Sequence, residues 1–212
     1  MNDRYDTTGS IEAQFEPGSS GGVLANKLGI SDPLEMNEVE LDLLNRLYEE
    51  TFDSVAADQA LTVADITEWH RRWLINVYDW AGRYRTLNMA KGDFQFAATA
   101  QIERLMGHLD KEILPIHTPC QGMSEEKLIE AIAVVHVELI LIHPFREGNG
   151  RLSRLLADVM AVQAGRRELD FTSWDEHRDK YFACIQAGMS DYEPMKGLVS
   201  LAAREAGNCG VA

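Results

Sequence analysis

The sequence predicts an all-α protein, a single bundle of helices with one short β-hairpin. Two consecutive stripes of apolar residues with helical spacing, separated by a short polar run, predict a pair of central helices. Between residues 84 and 97 the apolar pattern changes to a period of two, which predicts the hairpin. A length of 212 residues fits one such domain.

The first central helix is predicted from apolar residues at alternating spacings of four and three, namely Leu128, Ile132, Val135, Leu139 and Ile142. Pro144 disfavours helical geometry in the residue before it, so this helix should end near Ile142 or His143. The second helix should start between Gly148 and Arg151 and stop at Gly165.

The remaining helices are predicted from weaker stripes and from capping signals. Thr62 and Asp65 are spaced as a capping box before a stripe of apolar residues that reaches Trp80. The other predicted helices span residues 38–56, 99–112, 174–189 and 191–206. They should pack around the central pair.

The hairpin is predicted between Tyr84 and Ala97. The side chains follow a period of two both before and after Lys91-Gly92-Asp93. This tripeptide supplies the turn. Phe94 starts the returning strand.

Residues 1–22 are polar and rich in glycine and serine, and they lack the basic start and apolar stretch of a secretory signal. We expect a flexible arm there, followed by a single domain over residues 23–212 with its core at about 60–190. The three cysteines, Cys120, Cys184 and Cys209, are odd in number and form neither a Cys-x-x-Cys nor a metal-binding spacing, which favours reduced thiols. Because reduced thiols are typical of a reducing compartment and no secretory signal is seen, we expect the protein to be cytoplasmic.

The polar run between the central helices is His143-Pro-Phe-Arg-Glu-Gly-Asn-Gly-Arg-Leu-Ser-Arg154. Its Gly-Asn-Gly lies at a predicted helix N-terminus, where free backbone N–H groups favour a bound anion. Arg151 and Arg154 lie one helical turn apart and suit the phosphates of a di- or triphosphate. Glu147 can hold Mg²⁺ against these phosphates, and His143 can act as a base.

This run resembles the His-x-Phe-x-(Asp/Glu)-Gly-Asn-Gly-Arg-x-x-Arg signature of Fic domain proteins at every specified position. The resemblance implies a Fic-type helical bundle that transfers AMP from ATP to a Ser, Thr or Tyr hydroxyl of a target protein. It implies that His143 is the general base, that Glu147 is the Mg²⁺ ligand and that Phe145 anchors the loop in the core.

The same resemblance implies the nucleotide contacts. Asn149, with the backbone of Gly148 and Gly150, would form the anion hole for the α- and β-phosphates. Arg151 and Arg154 would contact the outer phosphates.

In Fic proteins a hairpin called the flap covers the site and pairs with the extended target segment. The resemblance therefore implies that Lys91, Gly92, Asp93 and Phe94 dock the target. Pairing of this kind uses main-chain hydrogen bonds, so the flap says little about the target's identity.

The net charge of −14 argues against direct nucleic-acid binding, and no apolar run approaches the ~20 residues that a membrane span needs. Many Fic proteins silence themselves with a (Ser/Thr)-x-x-x-Glu-(Gly/Asn) helix, of which this sequence has no complete copy: Ser31 and Glu35 have the spacing, but Met36 follows. In lacking this motif, the chain resembles the toxin class of Fic proteins. A small antitoxin inhibits these toxins by supplying a glutamate to the residue that corresponds to Arg154. A type II topoisomerase ATPase subunit is the expected target.

Two alternatives stay open. Some Fic relatives transfer a phosphate, phosphocholine or another nucleotide, although the intact Gly-Asn-Gly-Arg segment favours AMP. The chain could also be a non-enzymatic nucleotide-binding module, a function for which His143 and Glu147 would not be required.

Overall fold

The computed structural model describes residues 11–208, and helices make up most of this range. In chain order these are α1 (Pro33–Ser54), α2 (Val63–Leu74), α3 (Thr99–His108), α4 (Leu114–His117), α5 (Glu125–Ile142), α6 (Asn149–Gln163), α7 (Thr172–Glu176), α8 (Arg178–Ala187) and α9 (Glu193–Asn208). The strands β1 (Ala90–Lys91) and β2 (Phe94–Gln95) form an antiparallel hairpin before α3. The predicted all-α bundle with one short hairpin is therefore confirmed.

The centre of the bundle is the pair α5 and α6, with α9 packed against α5. α5 is apolar around most of its circumference, as expected for a helix surrounded by other helices. Its one buried histidine, His136, is hydrogen-bonded to the Ser153 carbonyl of α6 and to the Tyr181 hydroxyl of α8. His136 is thus a packed helix residue that joins three helices.

The predicted ends of the central helices are confirmed. α5 ends at Ile142, one residue before a left-handed His143, and α6 begins at Asn149. Gly165 follows α6 with φ +72°, the left-handed geometry that commonly ends a helix.

The helix predicted to reach Trp80 is shorter than expected, because α2 ends at Leu74. The capping box of Thr62 and Asp65 at its start is confirmed. Beyond Leu74 the chain folds into turns that still bury Val77 and Trp80. Buried residues therefore keep a helical spacing beyond the end of the helix, which is why the predicted helix is longer than the observed one.

Two further predicted helices are interrupted. The helix predicted over 99–112 ends at His108 and continues as a wider π-type turn (Leu109–Ile113), because Pro115 in the next turn has no N–H to donate and its ring would clash with the Lys111 carbonyl. The helix predicted over 174–189 is divided into α7 and α8 at His177, whose backbone is not helical.

The start of the packed chain lies inside the predicted arm. The Glu12 side chain is buried and accepts a hydrogen bond from the Thr86 backbone, while the Arg146 side chain donates to the Glu12 carbonyl. Phe15 pairs with Leu24 as an isolated β-bridge. Residues between 12 and 22 therefore contact the domain. The domain boundary at residue 22 stays a prediction. The arm up to residue 10 lies outside the described residues.

Within residues 11–208, no helix is long and apolar enough to cross a bilayer. Cys120 and Cys184 are free and buried, and the third predicted thiol, Cys209, lies outside the described range.

Candidate active site

The loop between α5 and α6 reverses the chain at His143. This residue has φ 52° and ψ 59°, a left-handed conformation that is uncommon for any residue except glycine. Its N–H still donates to the Leu139 carbonyl, so the bend follows directly on the last helical turn. This bend ends α5 and starts the loop that contains Phe145.

Phe145 and Asn149 close the loop on itself. Asn149 Oδ1 accepts from the Phe145 backbone N–H at 2.9 Å, and Asn149 Nδ2 donates to the Phe145 carbonyl at 2.8 Å. Phe145 is fully buried, and Asn149 is 2% exposed. The anchor role of Phe145 stays a prediction. The Asn149 side chain therefore shapes the loop, and only its backbone N–H is left for the predicted anion hole.

The backbone at the start of α6 leaves several N–H groups free where an anion site is predicted. The first intrahelical hydrogen bond runs from the Leu152 N–H to the Gly148 carbonyl. Asn149, Gly150 and Arg151 therefore have N–H groups without an intrahelical acceptor. A Cβ placed on Gly150 would have no atom within 4 Å, so the approach to these donors is open.

Gly148, by contrast, is packed tightly. It has φ +82°, and a Cβ there would lie 2.6 Å from Cζ3 of the buried Trp73. Only glycine fits both this backbone and this approach. Gly148 and Gly150 therefore have different roles, one in packing and one in access.

His70 of α2 supports the loop, and no local sequence pattern indicates this role. It is completely buried and stacks on Phe145 at 3.9 Å between ring centroids. Its Nδ1 accepts from the Gly82 N–H at 2.8 Å, so Nε2 carries the hydrogen and donates to the Glu147 carbonyl at 3.1 Å. Burial lowers the pKa of His70 to about 4, which keeps this neutral tautomer.

Replacing His70 by phenylalanine should keep the ring stack and remove both hydrogen bonds. Each unsatisfied buried group costs about 1–3 kcal/mol, so we expect the free energy of unfolding to fall by about 2–5 kcal/mol. Urea unfolding followed by circular dichroism measures this change. The same substitution at the exposed His108 is the matched control and should have little effect. Equal effects at the two positions would contradict the supporting role of His70.

Glu147, the predicted Mg²⁺ ligand, lies at the entrance to α6. Its Oε1 accepts from the Gly148 N–H at 2.9 Å, and its side chain is 44% exposed. Within residues 11–208 no group of three His, Cys, Asp or Glu is arranged as a metal site. A single accessible carboxylate fits an Mg²⁺ ion that arrives with nucleotide phosphates, since such ions keep few protein ligands.

Arg151 is held by a buried carboxylate that the sequence analysis did not select. Glu40 of α1 is 3% exposed, and its Oε2 lies 2.7 Å from Arg151 Nη1. Tyr78 donates to the other Glu40 oxygen at 2.7 Å, and burial raises the pKa of this tyrosine. The guanidinium also lies over the Trp73 ring, 4.7 Å from its centroid. Glu40 lies among the buried apolar positions of α1, and a glutamate at such a position is the sequence feature that could have indicated this ion pair.

A pocket of about 200 Å³ adjoins this pair, and both Glu147 and Arg151 line it. It lies between the start of α1 and the motif, with Asn37 and Tyr78 also in its wall. The predicted metal ligand and the first motif arginine therefore share one solvent-accessible recess.

Arg154 is also paired, in this case with Asp175 of α7. Both terminal nitrogens donate to the Asp175 carboxylate, at 2.8 and 3.0 Å. The pair is partly exposed, with Arg154 at 24% and Asp175 at 48%. The bidentate geometry is the one that a phosphate group would take at the same guanidinium.

The hairpin lies over His143. Phe96 stacks on the His143 ring with centroids 3.8 Å apart, and the neighbouring Phe94 and Lys91 contact Phe182 of α8. Gly92 has φ +58°, so the predicted turn at Gly92-Asp93 is present. The stacking residue Phe96 was expected only to belong to a strand.

Burial under this hairpin lowers the pKa of His143 to about 4. The Ile140 backbone acts in the opposite direction, while the Arg85 and Lys91 cations add to the decrease. Among residues 11–208 the buried Nδ1 of His143 has no hydrogen-bond partner. The imidazole is therefore neutral at pH 7, the state that a general base needs.

The fold and this loop define a class of all-α proteins with an open helix N-terminus beside a neutral histidine under a hairpin. The family model described as Fic/DOC matches residues 60–161, which include the motif. A probable protein adenylyltransferase of Sinorhizobium fredii is 30% identical over 156 residues, 74% of this chain and 79% of that protein. The chain belongs to the Fic/DOC family.

A longer relative extends the comparison. The protein adenylyltransferase Fic of Nematostella vectensis is 33% identical over 76% of this chain, which spans 36% of that protein's length.

Solved structures show the same fold. BepC, a VirB-translocated effector of Bartonella tribocorum solved with bound AMPPNP, matches with a TM-score of 0.70 at 25% identity over 90% of this chain and 96% of that one. The N-terminal Fic domain of an effector from Bartonella sp. AR 15-3 matches with a TM-score of 0.75 at 21% identity, covering 100% of this chain and 99% of that one.

Proposed function

We propose that this chain is a protein adenylyltransferase that moves AMP from ATP to a Ser, Thr or Tyr hydroxyl of a target protein. The observation that carries the proposal is the neutral His143 at a left-handed bend, followed within one loop by the open N-terminus of α6. Relatives at 28–33% identity that are named protein adenylyltransferases support the same activity.

The start of α6 binds the triphosphate. The N–H groups of residues 149–151 point to the phosphates, and the open face at Gly150 lets them approach. Arg151 and Arg154 engage outer phosphate oxygens, for which Arg154 exchanges its pairing with Asp175 for a phosphate. When bound, Mg²⁺ neutralises part of the phosphate charge, and Glu147 would hold it.

His143 carries out the proton transfer. Its neutral ring accepts the proton of the target hydroxyl, whose oxygen attacks the α-phosphorus of ATP. The new bond joins that oxygen to phosphorus, and the bond to pyrophosphate breaks. The backbone donors of α6 stabilise the charge that develops on the phosphate oxygens.

The test compares ATP labelled at the α-phosphate with ATP labelled at the γ-phosphate, incubated with purified chain, Mg²⁺ and a bacterial lysate. Label carried onto a protein from the α position alone supports AMP transfer. Label carried from the γ position alone would replace the proposal by phosphotransfer.

Regulation by a separate partner is also part of the proposal. A small antitoxin would insert a glutamate at Arg154, and the free chain would be active on a type II topoisomerase ATPase subunit. The support is the incomplete inhibitory motif in the sequence together with the position of Asp175, which already offers Arg154 a carboxylate. The strength of that internal pair decides whether the chain inhibits itself.

Asp175→Asn should change nucleotide affinity only slightly. Partly exposed ion pairs contribute about 0.2–1 kcal/mol, so freeing Arg154 should strengthen ATP binding by no more than about fivefold. Calorimetric titration with a non-hydrolysable ATP analogue and Mg²⁺ measures this. Asp179→Asn, at an exposed carboxylate of α8, is the matched control. An increase of a hundredfold or more would mean that Asp175 is itself the inhibitor and that no partner is needed.

A further inference from the structure

A buried guanidinium joins the hairpin to the end of α5. Arg85, between α2 and the hairpin, is only 2% exposed. Its Nε donates to the His143 carbonyl at 2.7 Å, and Nη2 donates to the Ile142 carbonyl at 3.3 Å. Carbonyls at the end of a helix have no intrahelical donor and carry partial negative charge, so the cation satisfies and stabilises them.

The other donors of the same group hold the two sides of the hairpin. Nη1 donates to the Leu87 carbonyl and Nη2 to the Ala97 carbonyl, both at 2.6 Å. These two residues flank β1 and β2. The backbone adds two links to the α5 end, from the Arg85 N–H to the Pro144 carbonyl and from the Ala97 N–H to the Leu141 carbonyl.

This arrangement explains how a strained backbone is kept at His143. A left-handed non-glycine residue costs about 1–3 kcal/mol and persists only when its surroundings determine it. Arg85 bonds the carbonyl of that residue and the carbonyl before it, and it ties both to the strands that carry Phe96, the ring stacked on His143. A lysine has no planar fork and cannot reach these acceptors together.

We propose that Arg85 is a positioning residue for the His143 base. Its side-chain hydrogen bonds go only to backbone carbonyls of the α5 end and of the hairpin flanks, and it fixes the bend at His143 and the hairpin above it in one geometry. The inference rests on the proposed function, in which His143 is the base. It names a residue outside the motif on which the rate should depend.

A charge effect separates this role from simple stabilisation. The Arg85 cation disfavours protonation of His143, as does Lys91 of the hairpin, while the buried Glu12 carboxylate faces Arg85 itself. Removing the charge at position 85 should therefore raise the pKa of His143. Arg85→Lys keeps the charge but loses the planar set of donors, so the pKa of His143 should stay low.

The experiment uses Arg85→Lys and Arg85→Gln, with the same changes at the exposed Arg83 as controls. Amide hydrogen exchange is followed at Phe96 and Ala97, His143 is titrated by NMR, and kcat and KM for ATP are measured. We expect faster exchange at both amides and a kcat about 10²-fold lower in both Arg85 variants, with KM little changed. The pKa of His143 should rise only in Arg85→Gln.

Wild-type exchange and titration in both Arg85 variants would overturn the inference, as would a kcat that falls only in proportion to the unfolded fraction. If Arg85→Gln does not fold, Arg85→Lys decides by exchange and by the kcat-to-KM comparison. If the wild-type chain transfers no AMP, the proposed function fails, while exchange and titration still decide whether Arg85 holds His143.

Discussion

His143→Asn is expected to lower the rate of AMP transfer by about 10²–10⁴-fold while the chain stays folded. A positioned base contributes a factor of this size, and the asparagine amide cannot accept the proton. Asparagine is preferred over alanine for the test because it tolerates the left-handed backbone at φ 52°. His143→Ala should lose the same activity, but alanine adopts this left-handed backbone less readily than asparagine does.

Transfer of α-phosphate label to a target band measures the rate, and thermal unfolding measures the fold. Nucleotide binding should be unchanged in His143→Asn, because the α6 donors and both arginines are intact. Transfer at the wild-type rate by this variant would exclude His143 as the base.

The pH dependence of the same group follows from its environment. Because burial lowers the pKa of His143 to about 4, the ring is neutral above this value and protonates only below it. Loss of the base form should therefore occur near pH 4 and not near the ordinary value of about 6.5. NMR titration of the His143 ring, assigned with His143→Asn, gives the midpoint directly, and a midpoint at or above 6.5 would contradict this expectation.

The second large effect is a contrast between two glycines of the motif. Gly148→Ala forces a Cβ to 2.6 Å from Trp73 Cζ3 on a backbone with φ +82°, and should destabilise the fold by about 2–5 kcal/mol through strain and overpacking. Gly150→Ala meets nothing within 4 Å and lies inside α6, where alanine is up to about 1 kcal/mol better than glycine.

Gly150→Ala should nevertheless bind nucleotide more weakly. A helical Cβ tilts toward the N-terminus, so the new methyl group stands on the side from which phosphates approach. Losing one hydrogen bond to a charged group costs about 1.5–3 kcal/mol, or roughly 10–100-fold in affinity.

Urea unfolding and calorimetric titration of both variants test this contrast. A stable Gly150→Ala chain with wild-type affinity would show that the start of α6 does not hold the phosphates.

Sequence reasoning succeeded where the determining residues are neighbours in the chain. The ends of α5 and α6 followed from Pro144 and Gly165, whose backbone preferences act locally. It failed at the end of α2 and at His177, where residues remain buried although the helix stops. Apolar spacing reports burial, and turns can bury the same side chains.

The site shows the same division. The contiguous motif could be found from the sequence, together with the histidine, the carboxylate and the helix start for which roles are proposed. The residues that orient it, Glu40, His70, Arg85 and Asp175, come from four separate segments and have ordinary local sequences. Their roles depend on tertiary contacts that no local pattern encodes.

The hydrogen bond from Arg146 to the Glu12 carbonyl spans 134 residues and has a consequence for the order of folding. During synthesis the segment around residue 12 is made well before its partner, which follows 134 residues later. Asp175 and Phe182 follow later still. The helices α1 and α2 can therefore form before the catalytic loop is complete, and a chain interrupted before residue 143 would lack the motif entirely.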